Sequence, residues 1–97
     1  MIVERDWGGL RPEFTSAEPF DHIVIDNFWL PEVAEQLYAE FPAYDSQDWI
    51  FYHNALEDKK TCNHWDRFPK TTYAAFDYLM SDRFVDHLRH LTGNPAL

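Results

Sequence analysis

Pro19-Phe20-Asp21-His22-Ile23-Val24-Ile25-Asp26-Asn27-Phe28-Trp29-Leu30-Pro31-Glu32 is the stretch on which the fold reading turns. Residues 21–26 alternate around Ile23 and Ile25 with β-branched Val24 between them, which predicts a short strand. Two carboxylates, Asp21 and Asp26, bracket it. A helix is predicted from about Pro31, because proline's fixed φ suits the first helical position and its missing N–H would be unpaired there in any case. Glu32 sits well against the positive helix end. Val33, Leu37 and Phe41 recur at helical spacing with Ala34 and Tyr38 beside them, and Pro42 marks the end, so the last turn should fray near Glu40 or Phe41.

Working outward, residues 49–54 form a second predicted strand, aromatic-rich and bounded by polar clusters. Residues 55–70 carry no clear period. Thr71 or Thr72 is a suitable cap for a helix striped by Tyr73, Phe76, Leu79 and Met80. Ser81 is a better one, opening a helix with Asp82 in its first turn and Phe84, Val85, Leu88 and Leu91 facing inward. Gly93 supplies a left-handed stop and Pro95 prevents continuation. Residues 1–18 show no sustained period and read as an N-terminal arm that Trp7, Leu10 and Phe14 pin down.

The chain has 97 residues, enough for one domain or part of one. A chain of this size buries only ~60–65% of its unfolded surface, so its stability margin is thin. Aromatic residues make up 18% of it and argue for a folded, ring-rich layer over disorder. Any ring without an internal partner favours association. The net charge of −9 opposes nucleic-acid binding, which relies on clustered cations. Cys62 is the only cysteine, so an intrachain disulfide is excluded and a reducing, cytoplasmic setting is expected. No run approaches the ~18 apolar residues of a membrane span.

Several residue sets invite a chemical reading. His64-Trp65-Asp66 supplies His-x-Asp, two of the three ligands of a facial iron triad. A third could come only from His87 or His90 on a predicted helix, so iron binding by His64 and Asp66 is disfavoured against a polar loop with Trp65 packed inward. Cys62, His64 and Asp66 form a zinc-like set but lie too close in sequence for tetrahedral coordination and lack a fourth ligand. His87 and His90 are three apart, whereas paired helical ligands sit four apart. The stripes containing Phe41, Phe76 and Phe84 have the spacing of an ordinary packed face.

Residues 19–32, the stretch 49–60 and the closing Leu91-Thr92-Gly93 resemble the N-terminal part of prolyl-4-hydroxylase-like Fe(II)/2-oxoglutarate-dependent oxygenases of bacterial and phage type. The resemblance includes Tyr52-x-Asn54 followed by Glu57 and Lys59. It implies an α+β fold, with two or three helices packed on a small sheet that supports a double-stranded β-helix core missing from this chain. Residues 1–18 would be the arm and 19–97 a partial oxygenase domain. The resemblance further implies Fe(II) and 2-oxoglutarate in the parent enzyme, with none expected on this chain alone. The iron-binding and cosubstrate residues of the family have no counterpart here, so the chain is expected to be inactive by itself. Tyr52, Asn54 and Lys59 become substrate-cleft candidates, against a bland reading as a strand end and turn. Expected partners are the missing catalytic half or another protein chain, with homo-oligomerisation; nucleic acid and membrane are not expected. The competing reading is a stand-alone protein-interaction module without catalysis, and a small zinc protein is a third.

Overall fold

The computed structural model describes residues 1–43, 50–53, 58–61 and 64–97. In chain order the elements are α1 (Arg11–Thr15), α2 (Pro31–Ala39), a hairpin of β1 (Ile50–His53) and β2 (Asp58–Thr61), α3 (Lys70–Leu79) and α4 (Asp82–Thr92). Short 3-10 turns, Gly8–Leu10 and Trp65–Arg67, precede α1 and α3. No described helix is long and apolar enough to cross a membrane.

The tertiary structure is helical, and this corrects the expected α+β arrangement of helices on a small sheet. Residues 21–26 join no strand. Their alternation is real, since Ile23 and Ile25 pack on the core while Val24 is 78% exposed. What fails is the ladder. Asn27 takes a left-handed φ of 54°, a conformation asparagine tolerates, and turns the chain before it can extend further. The next residues then pair with the N-terminus: Val3 N–H donates to Phe28 O at 2.9 Å and Leu30 N–H to Met1 O at 3.1 Å, around the bridge Ile2–Trp29. The second expected strand does form over Ile50–His53, while its ends Trp49 and Asn54 lie outside the described residues. Among the described residues it pairs with its own hairpin mate β2, and the helices there make no more than marginal contact with that hairpin.

The core sits where the N-terminal segment crosses α4. Ile2, Trp7 and Leu91 are buried, and Met1, Leu10, Phe14, Ile23, Ile25, Phe28, Trp29, Tyr78, Phe84 and Leu88 pack around them. Residues without a helical period in sequence thus form turns that close this core, and Arg11 fastens them by donating from Nε and Nη2 to His90 O at 2.9 and 2.7 Å. Trp7 stacks on His87 (centroids 5.2 Å apart, 14° between planes) and meets Phe84 edge-on at 6.1 Å.

Helix α4 follows its sequence signals closely. Ser81 Oγ accepts from Phe84 N–H at 3.3 Å, and Gly93, with φ 74°, closes the helix by donating to Arg89 O at 2.8 Å. Helix α2 starts at Pro31 as expected and ends at Ala39. Helix α3 differs. It begins at Lys70, ahead of the threonines expected to cap it, and its N-cap residue Pro69 has no side chain that accepts a hydrogen bond. The end of α2 supplies the acceptor instead: Glu40 Oε1 takes the Thr72 N–H and, at 3.0 Å, the Thr72 hydroxyl. A carboxylate there also opposes the positive helix end.

The enclosed volume is small. Among the described residues only Ile2, Trp7, Ala75 and Leu91 count as buried apolar side chains. The radius of gyration is 16.7 Å, against about 12.5 Å for a compact domain of this length. Phe41, Tyr73, Phe76 and Met80 remain exposed on or beside the helices.

Candidate functional site

The residues singled out in sequence separate in space. His64, the N-cap of the 3-10 turn before α3, and Asp66 within that turn are exposed, and the His64 carbonyl accepts from Arg67 N–H at 2.9 Å. His87 is turned inward onto Trp7, whereas His90 is exposed and its Nδ1 bonds Asp86 O at 2.8 Å. The two helical histidines therefore do not converge. Among the described residues no group of three or more His, Cys, Asp and Glu is placed to hold a metal ion. Cys62, Asn54 and Glu57 lie outside the described residues. The hairpin register sets Tyr52 directly opposite Lys59 as Cα partners, which brings two of the three substrate-cleft candidates to one point.

A different site emerges around α3. Phe68 and Pro69 enter that helix, Phe41 and Pro42 leave α2, and with Arg67, Thr72 and Phe76 they line a cleft of about 210 Å³. Its rings belong to a wider cluster. Trp65 lies 5.4 Å from Phe68, 5.5 Å from Tyr73 and 6.0 Å from Phe76, and Phe68 lies 5.6 Å from Phe76. These are ordinary aromatic packing distances. Nevertheless Phe41 is 68% and Phe76 46% exposed, and Trp65, Tyr73 and Met80 are open to solvent as well. A packed face was the expectation for this stripe; the rings of Trp65, Phe68, Tyr73 and Phe76 pack on one another, and Trp65, Tyr73 and Phe76 keep part of their surface in solvent.

Glu40, next to Phe41 in sequence, is bonded to Thr72 of the lining. Desolvation pushes its carboxyl upward, but the Thr72 N–H, the Gln36 amide and the Thr72 and Thr71 hydroxyls together outweigh it and hold the group below its ordinary value. The tie fixes the end of α2 against the start of α3 and so sets the cleft width. Among the described residues Arg67 is the one charged residue in the lining. Such a cleft is suited to apolar or aromatic side chains, with a single cation at its edge for orientation.

One sequence signal marks this site. The dipeptide Phe-Pro occurs at 41–42 and again at 68–69, and both copies line the cleft. Each proline stops or starts a helix and leaves its phenylalanine beside the helix end, clear of the packed stripe.

Comparison with protein-family models, with curated proteins and with solved structures yields no match to this chain.

Proposed function

We propose that this chain is a non-catalytic docking and support element of a non-haem Fe(II)/2-oxoglutarate-dependent dioxygenase that hydroxylates a peptide or small molecule. Iron and cosubstrate belong to a separate β-structured catalytic unit, and the aromatic cleft of this chain is the surface that unit covers. The resemblance at residues 19–32, 49–60 and 91–93 names the class of enzyme. The observation that carries the docking role is the solvent exposure of the Trp65, Tyr73 and Phe76 rings, since apolar surface of that kind is stabilised by ~25 cal/mol for each Å² removed from water. Tyr52 and Lys59, Cα partners in the hairpin, and Asn54 of the same sequence stretch are the residues proposed to orient a polar substrate. Without its partner the chain associates with itself through the same rings. A single cysteine suits the reducing cytoplasm.

A second reading, an interaction module with no catalytic partner, is favoured by the way the helices hold one another without help from the hairpin. Sequencing the encoding DNA beyond codon 97 and assaying its product separates the two. The oxygenase reading expects glycine-rich strands with His-x-Asp and a distal histidine and arginine, in the same frame or an adjacent gene. Co-expressed, the two parts should convert 2-oxoglutarate to succinate, and Phe41→Ser with Phe76→Ser should abolish both their association and turnover. No such coding sequence, with binding to another protein still lost in the same double variant, leaves the interaction module. Binding and turnover that survive the double variant remove the docking role from both readings.

A further inference from the structure

Residues 22–25 form an extended segment anchored by alternate side chains, Ile23 and Ile25 in the core and Val24 outward. No main-chain N–H or C=O of these four residues bonds to another backbone group among the described residues. The neighbouring ladder is used up: residues 1–3 pair with 28–30, and the left-handed Asn27 separates that pair from the segment. His22 spends its ring Nδ1 on Phe20 O at 2.8 Å and leaves its own backbone unpaired. A held, extended run with free main-chain groups is a template for a further strand.

We propose that residues 22–25 are a strand-addition edge whose occupant is an extended segment of a different polypeptide carrying Lys or Arg at both ends. Only another strand presents donors and acceptors at the spacing that the free groups require. Charge selects which strand. Asp21 and Asp26 are exposed at the two ends and make no ion pair among the described residues. A second copy is the poorer fit, because pairing 22–25 with 22–25 antiparallel sets Asp21 against Asp26 at both ends, between chains of net charge −9 each. Opposite-charge pairs across a ladder stabilise it and like charges oppose it. The surface shares no residue with the aromatic cleft, and the inference is independent of the oxygenase reading.

The test is selection of random peptides displayed on phage against the full chain, followed by hydrogen exchange with the synthesised winner. Expected binders alternate β-branched residues between Lys or Arg ends and slow exchange of the alternate amides on the paired edge, Val24 with His22, by about tenfold or more. Val24→Pro, an exposed position whose N–H the added strand needs, should abolish capture while the circular dichroism of the fold persists. The pair Asp21→Lys and Asp26→Lys changes only exposed side chains and should switch selection to peptides with acidic ends. An empty selection overturns the proposal. So do binders that survive Val24→Pro with protection elsewhere, an unchanged preference in the charge-reversed pair, or 22–25 protection that rises with concentration of the protein alone, which would make a second copy the occupant.

Discussion

Two aromatic clusters of similar internal geometry lie in this chain, one sealed and one open. Around Trp7 the rings of Phe84 and Phe28 meet edge-on at 5.8–6.1 Å, and around Trp65 those of Tyr73 and Phe76 meet at 5.5–6.0 Å. Ring-to-ring contact therefore does not decide burial. The first cluster draws on three distant segments, the N-terminus, residues 28–30 and α4, which surround it from different sides. Among the described residues the second comes mainly from one continuous run, 65–76, with Phe41 beside it. Neighbours in sequence supply one layer, and enclosure requires a second.

The comparison breaks or holds first on a pair of truncations. Trp7→Ala should cost about 3–5 kcal/mol, the usual range for a buried large ring, and in so thinly cored a chain that is enough to leave much of it unfolded at room temperature. Phe76→Ala should cost about 1–2 kcal/mol, because nearly half the ring already faces water. Urea denaturation of both variants reads the difference. Equal losses would mean that the open cluster is a core after all. Trp7→Phe sharpens the point: the indole Nε1 is buried with no partner among the described residues, so removing it relieves an unsatisfied donor and should offset part of the lost packing.

Ser81→Ala comes next, at about 1 kcal/mol, because it removes the acceptor for Phe84 N–H at the start of the helix that seals the Trp7 cluster. Calorimetry should show a lower melting temperature with no change in peptide capture at either open surface. A loss of binding there would show that the two clusters are coupled through α4.

How much of this was legible in sequence follows from how local each signal is. The cap at Ser81, the stop at Gly93 and the proline start at Pro31 act within a turn or two, and all three read correctly. Alternation at Ile23, Val24 and Ile25 also named the inward side chains, but a strand needs a partner and alternation does not say where one is. The stripe on α3 showed that Tyr73 and Phe76 share a side without showing that anything covers it. Residues 1–18 were the hardest, since short turns held by Trp7 and Arg11 have no period to detect. Of the chemical candidates, Tyr52 and Lys59 are Cα partners in the hairpin register, and His64 and Asp66 stay on or beside an exposed turn.

The smallest expected effect tests the Glu40 tie beside the open cluster. Glu40 titrates below its ordinary value in the folded chain, because the hydrogen bonds from Thr72, Gln36 and Thr71 favour the charged form more than partial burial opposes it. A group depressed in this way stabilises the fold at pH values above its unfolded pKa of ~4.3, and that contribution fades as pH falls through the lower folded value. Comparing wild type with Glu40→Gln removes the background of the other carboxylates. The wild type should melt higher at neutral pH, by a margin that solvent screening keeps small, and the two curves should converge as the solution is acidified. Tryptophan fluorescence should report the same convergence at Trp65, because releasing Glu40 from Thr72 frees the end of α2 and with it the Phe41 side of the cleft. A constant gap across that range would mean that Glu40 holds the α2–α3 junction through geometry alone, with no contribution from its charge.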